Sequence, residues 1–172
     1  GLFQIERANL RTGATELSAQ GRFSFEGGTD LAVKLNSGDA SELQAVVLST
    51  GLLPAVEESV KNLGVALAGN LNFDGRLTGD LDNPLVNGRF EVGSLTMRGR
   101  DLGALSADIA SDAAATRIEN GRLSERDGGG AQFSATIPRA GRDNVSFQAT
   151  LENANAANLA GALGLGGNSA VA

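Results

Sequence analysis

Cysteine, histidine, tryptophan and tyrosine are all missing from this chain, and proline occurs three times in 172 residues. Without Cys there is no disulfide, no thiol nucleophile and no zinc–thiolate site. Without His there is no Ser-His or Cys-His pair and no imidazole metal ligand. No G-x-S-x-G elbow, Walker loop or G-x-G-x-x-G fingerprint occurs. Paired carboxylates could still cleave a glycoside. The candidates Asp80/Asp82 and Glu125/Asp127 stand in turn-like segments, where Asp serves local hydrogen bonding. Sugar sites also use Trp or Tyr platforms that this chain lacks, so we read it as not an enzyme. Asp80-Leu81-Asp82-Asn83, or Asp127 with its glycines, could offer oxygen ligands to calcium. Asp82-Asn83-Pro84 reads better as a turn before a strand. No metal and no cofactor is expected.

Basic residues are also few and scattered: 14 against 20 acidic, with a pI near 4.6. That excludes nucleic acid, which needs a clustered basic face, and a polybasic grip on anionic headgroups. No apolar run approaches the 18 or so residues of a membrane-spanning helix. The chain begins at Gly1 with no basic segment leading into an apolar one, and so reads as a processed product or a piece of something longer.

Glycine, by contrast, is abundant: 24 residues, about twice the usual share of roughly 7%. With so little proline, this suits the turns and bends of a folded β protein. From Leu63 to Leu81 every odd position is aliphatic, Phe or Gly, and from Asn70 onward the even positions are polar. A period of two is an extended strand with one apolar face. Turning at Asp74-Gly75 would mix the faces by setting Phe73 opposite Arg76. A continuous strand, bent or bulged at Gly75, keeps them pure.

Before this stretch, Phe3 and Ile5, Leu17 and Ala19, Phe23 and Phe25, and Leu31, Val33 and Leu35 alternate as strands. A loop over 26–30 would pair Phe25 with Leu31 and Phe23 with Val33. Asp39, with Glu42 three residues on, predicts a capped helix carrying Leu43, Val46 and Val47. A second helix is expected from Pro54. After Pro84 strands resume on Val86, Phe90 and Val92, then Leu95 and Met97, Leu105, Ala107 and Ile109, Ile118, Phe133 to Ile137 and Val145 to Leu151. A last short helix is expected over 155–163, followed by a Gly-rich tail.

The chain also echoes itself at a nearly constant offset. Ile5-Glu6 returns as Ile118-Glu119, Leu10 as Leu123, Phe23-Ser24 as Phe133-Ser134, and Leu35, Asp39, Ala40 and Leu43 as Leu151, Asn155, Ala156 and Leu159. Stacked repeats share one core. Residues 1–64 then end one repeat, and 65–172 form the next, closing in a short helix and the tail.

The fold expected is all-β and mostly antiparallel, with two or three short edge helices. Its apolar face could be sealed in a barrel or sandwich, or left open as a curved groove for alkyl chains; both need the same strands. The candidate lining is Val65, Leu67, Leu71, Phe73, Leu77, Leu81, Val86, Phe90, Val92, Leu95, Met97, Leu105, Ile109, Ile118, Phe133, Ile137, Phe147 and Leu151.

The stretch Gly69-Asn-Leu-Asn-Phe-Asp-Gly-Arg-Leu-Thr-Gly-Asp-Leu-Asp-Asn-Pro-Leu-Val-Asn-Gly-Arg-Phe90 resembles the TamB/AsmA-like family of long bacterial envelope proteins, whose repeats read as glycine-punctuated alternation followed by a proline turn. Gly38 to Leu43 and Asn153 to Leu159 look like that family's inter-repeat helices. The resemblance implies an open, twisted β-taco in the Gram-negative periplasm, with its inner-membrane anchor outside this segment. It would conduct phospholipid or other acyl chains between the membranes, or support outer-membrane assembly. Its partners would be neighbouring repeats of the same chain and an outer-membrane β-barrel. The alternative reading is a secreted or surface β-rich structural or adhesin repeat without a ligand.

Overall fold

The structure, a computed structural model, describes residues 2–24, 28–50, 61–62, 64–80, 84–138, 145–162 and 164. The elements are β1 (Leu2–Thr12), β2 (Thr15–Ser24), β3 (Thr29–Ser37), α1 (Ala40–Thr50), β4 (Val65–Gly79), β5 (Leu85–Met97), β6 (Arg100–Ser111), β7 (Ala115–Ser124), β8 (Gly130–Pro138), β9 (Ser146–Glu152) and α2 (Ala156–Ala162). The nine strands form one sheet in sequence order, each antiparallel to the next. β1 and β9 are its two edges, so the sheet is open.

The long alternation becomes β4, 15 residues without a turn. Gly75 is an ordinary ladder position, opposite Val33 on one side and Gly88 on the other. The irregularity expected there lies earlier. Ala68 pairs with Ser94 and Leu71 with Val92, so Gly69 and Asn70 together oppose Gly93. Gly69 has φ +72, a conformation that costs glycine little and that such a bulge requires.

The register expected between β2 and β3 is corrected. Leu31 faces Gly21, not Phe25, and Val33 faces Ala19, not Phe23. An even shift leaves every side chain on its own face, so alternation alone cannot choose between the two pairings. The observed register sets Leu17 against Leu35 and Arg22 against Asp30. The Thr29 hydroxyl closes the end of the hairpin, donating to the Ser24 carbonyl at 3.0 Å and accepting the Ser24 N–H at 3.2 Å.

Both helix starts fall where the sequence places them. Asp39 Oδ1 accepts the N–H groups of Ser41 (2.9 Å) and Glu42 (3.3 Å), which are free donors at a helix start. The reciprocal arm of a capping box is not made; the Asp39 N–H donates to Ser37 Oγ instead, at 3.2 Å. Asn155 Oδ1 caps α2 by accepting the Asn158 N–H at 2.9 Å. The helix expected from Pro54, Phe25, and the tail beyond Gly164 lie outside the described residues, apart from Lys61 and Asn62, which are helical.

The two faces differ sharply. On one, Lys34, Asp74, Arg89 and Asp108 stand side by side on β3 to β6 with alternating sign. Lys34 reaches Asp74 at 2.9 Å and Arg89 reaches Asp108 at 3.1 Å. Arg76 grips Asp30 through two nitrogens, holding its carboxyl below the usual carboxylate range. Exposed pairs of this kind add little stability each, but like charges directly opposite are penalised, so the ladder favours this register. The other face is apolar.

Candidate functional site

Directly paired residues point to the same side of a sheet, so the register spells out the apolar face row by row. Ser37, Leu71, Val92, Leu105, Leu123, Ala131 and Leu151 form one row across β3 to β9. Leu10, Leu17, Leu35, Phe73, Phe90 and Ala107 form the next. Ala19, Val33, Gly75, Gly88, Ile109, Ile118, Ala135 and Phe147 form a third. Leu31, Leu77 and Val86 lie beyond it.

α1 and α2 both sit at one end of this face. Ala40 of α1, fully buried, packs with Leu71 and Val92, with Leu43 alongside. Ala162 of α2, also fully buried, packs with Leu95 and Leu102, with Leu159 alongside. Toward the other end Phe73, Leu77, Val86, Phe90 and Ile109 are half-buried. Among the described residues no second sheet layer covers them. Exposed large apolar side chains mark the two edges, among them Phe3 (55%) and Leu10 (58%) on β1 and Phe147 (51%) and Leu151 (43%) on β9.

On the β5–β9 half the face holds a trough of about 360 Å³. Its walls are apolar throughout. Phe90, Leu105, Ile109, Ile118, Phe133 and Phe147 contribute from five strands, and Leu159 of α2 closes the helix end. Phe133 and Phe147 sit with ring centroids 6.0 Å apart. The volume lies within the roughly 300–1,000 Å³ range of ligand pockets. With no ionisable or hydrogen-bonding side chain in its wall, the trough offers contact to hydrocarbon rather than proton transfer or ligation.

Of the residues expected to line a groove, Phe90, Leu95, Met97, Leu105, Ile109, Ile118, Phe133 and Phe147 come together in this trough. Leu71 and Val92 are on the same face but buried beneath α1, with Leu67 packed beside them. Val65 packs against the α2 cluster. Phe73, Leu77 and Val86 continue the face over β4 and β5, outside the trough. Ile137 and Leu151 are exposed on the β8–β9 margin. Leu81 lies outside the described residues.

Sequence reasoning missed Leu102, Ala107, Leu123, Ala131, Ala149 and Leu159 as lining. The alternation does place Ala107, Ala131 and Ala149 on the apolar face. Leu102 had no signal. It is the unpaired residue of a bulge, between Gly103 opposite Leu95 and Asp101 opposite Thr96, so it falls out of phase with Leu105.

Among the described residues no three acidic groups converge as a metal site, and no helix is long and apolar enough to cross a membrane. The Asp80–Asn83 candidate lies partly outside the described residues. No family model, curated protein or solved structure matches the chain.

Proposed function

We propose that this chain is a segment of a TamB/AsmA-like β-groove protein of the Gram-negative periplasm. It binds or conducts lipid acyl chains on its apolar face and performs no chemistry on them. The carrying observation is the wholly apolar trough on an open sheet. A flat sheet would set β5 and β9 about 19 Å apart, four strand spacings. Phe90 and Phe147 nevertheless border one cavity, which supports a sheet curled into a groove. Exposed apolar surface costs about 25 cal/mol per Å², and an alkyl chain removes that cost without needing a polar partner. A ligand-free structural or adhesin repeat would need its apolar face covered, and the described residues cover only the end beneath α1 and α2.

The repeat belongs to this reading. β1–β2–β3–α1 and β7–β8–β9–α2 have the same order. A bulge follows Ile5 in β1 and Ile118 in β7. Leu10 and Leu123 head ladders that run through Leu17 to Leu35 and through Ala131 to Leu151. Each third strand leads into an N-capped helix. The correspondence of Phe23 with Phe133 does not fit, since Phe23 faces Phe3 at the opposite end of the sheet from the helices, and Phe133 faces Gly121 nearer to them. Residues 1–64 are then the end of one unit and 65–172 the next, with further units of the same chain and an outer-membrane β-barrel as neighbours.

The test is native mass spectrometry of the chain purified from a Gram-negative host without detergent. Bound phospholipid or fatty acid is the expected result. A chain that arrives empty and takes up no lipid from vesicles overturns the proposal.

A further inference from the structure

The apolar face carries one charge at its paired positions among the described residues: Arg100. It stands directly opposite Met97, a trough-wall residue, and therefore on the trough side of the sheet. Arg98 precedes it in the tight β5–β6 turn, where Arg98 and Gly99 have φ of 50 and 73. The two guanidiniums rest on the end of α2, Arg100 against Gly161 and Arg98 against Gly164. Gly164 N–H donates to the Gly161 carbonyl at 3.2 Å, so both cations lie at the C-terminal end of α2. Leu159, on the same helix, forms the end wall of the trough.

Neither arginine has an acidic partner among the described residues, and both are exposed. Asp101, the acid next in sequence, is already engaged: Oδ2 lies 3.2 Å from Arg126 and Oδ1 accepts the Gly103 N–H at 2.9 Å. The C-terminus of α2 offers the equivalent of about half a negative charge, which leaves most of two positive charges unmatched. Both charges are therefore held in water at the rim of an apolar surface, free to meet an anionic group, and guanidiniums suit the two oxygens of a carboxylate or phosphate.

We propose that Arg98 and Arg100 form the headgroup station of the trough, and that its ligand is an acyl chain ending in an oxyanion, carboxylate or phosphate. This inference rests on the acyl-chain reading above and adds selectivity to it. The chain lies among Phe90, Ile109 and Phe133 while the head sits at the β5–β6 turn beside α2.

The experiment compares oleate, oleoyl lysophosphatidate and oleyl alcohol, which share one chain and differ in the head, by displacement of a fluorescent apolar probe from the whole chain. Wild type should bind both anions at least about tenfold more tightly than the alcohol, with the preference shrinking in high salt. R98Q/R100Q should lose that preference while its affinity for oleyl alcohol stays within about twofold. Equal affinity of wild type for all three overturns the headgroup station but leaves the acyl-chain reading intact. Failure of all three to bind overturns both. Inorganic phosphate that displaces oleate at equal concentration would make the pair a free-anion site and overturn the inference. The wild-type comparison needs no variant, so a double mutant that misfolds does not rescue it.

Discussion

Gln44 of α1 acts as a strand residue toward Leu67: its Oε1 accepts the Leu67 N–H at 2.7 Å while its Nε2 donates to the Val65 carbonyl at 2.7 Å. The reason lies in strand lengths. β3 ends at Ser37, opposite Leu71, and β4 begins further out at Val65. The start of β4 therefore has β5 on one side and no strand on the other, and one amide side chain supplies the missing ladder contacts. α2 is tied down in a similar way, with Asn158 Nδ2 donating to the Asp101 carbonyl at 2.9 Å.

Gln44→Ala should therefore cost about 1–3 kcal/mol, the range for half-buried polar groups left unsatisfied. The loss should be local. Urea denaturation gives its size, and amide exchange gives its place: the Leu67 amide should lose protection while that of Leu35, deep in the β3 ladder, keeps its own. Equal loss at both positions would rule out the edge-capping role.

A second prediction concerns the middle of the sheet. Gly75 and Gly88 face each other, and a Cβ on Gly75 would meet the Asn87 carbonyl, the Phe73 ring and, at 2.9 Å, the Gly88 Cα. The Phe73 ring thus occupies the place a side chain would take. Gly75→Ala should cost about 1–3 kcal/mol by overpacking, seen as a thermal midpoint lower by several degrees. A variant as stable as wild type would contradict this packing.

These contacts show where the sequence was legible. The unbroken alternation gave β4 its length and both faces their composition, because a two-residue period has one structural meaning. Asp39 and Asn155 marked the helices because a capping side chain acts within its own turn. Registers and bulges were hidden. Moving Leu31 from Phe25 to Gly21 changes no face, and the decision rests on Arg22 meeting Asp30 and Thr29 meeting Ser24, contacts between separate strands. The candidate site was legible as a face but not as a trough. Which apolar residues stay open depends on where α1 and α2 land, and nothing local in Leu71 says that Ala40 will cover it.

Acid should weaken the β6–β7 turn in a definite window. Asp112 accepts the Ala115 N–H at 2.9 Å and the Ala114 N–H at 2.8 Å, and Arg117 lies 2.6 Å from its second oxygen. The Ala115 N–H above all, then Arg117 and Ala114, hold its pKa down from 3.8 to about 2. The folded value lies below the unfolded one, so the stabilisation is complete above about pH 4 and is lost as pH falls toward 2. Asp30, Asp39 and Asp108 shift in the same direction. Asp112→Asn should thus lower the thermal midpoint at neutral pH, and the gap from wild type should narrow between pH 4 and pH 2. A gap that stays constant down to pH 2 would show that the charge of Asp112 contributes nothing.

The last prediction separates ligand binding from folding. Ile109 lines the trough and is half-buried, Leu71 is 4% exposed beneath α1, and Leu10 is 58% exposed on the β1 edge. Arginine at Leu71 puts an unpaired charge into packed apolar surroundings and should unfold the chain, because that cost is several kcal/mol. Arginine at Leu10 can extend its charge into water and should change neither stability nor binding appreciably. Arginine at Ile109 should reduce acyl-chain binding at least about tenfold, since a charge in the trough wall is desolvated each time hydrocarbon covers it. Without ligand its head can still reach water, so stability should fall by no more than about 1–2 kcal/mol. Thermal unfolding and oleate titration of the three variants make the comparison. If Ile109→Arg binds oleate as wild type does, hydrocarbon does not occupy this trough. If its binding falls only in step with its stability, the face is a core surface rather than a ligand surface.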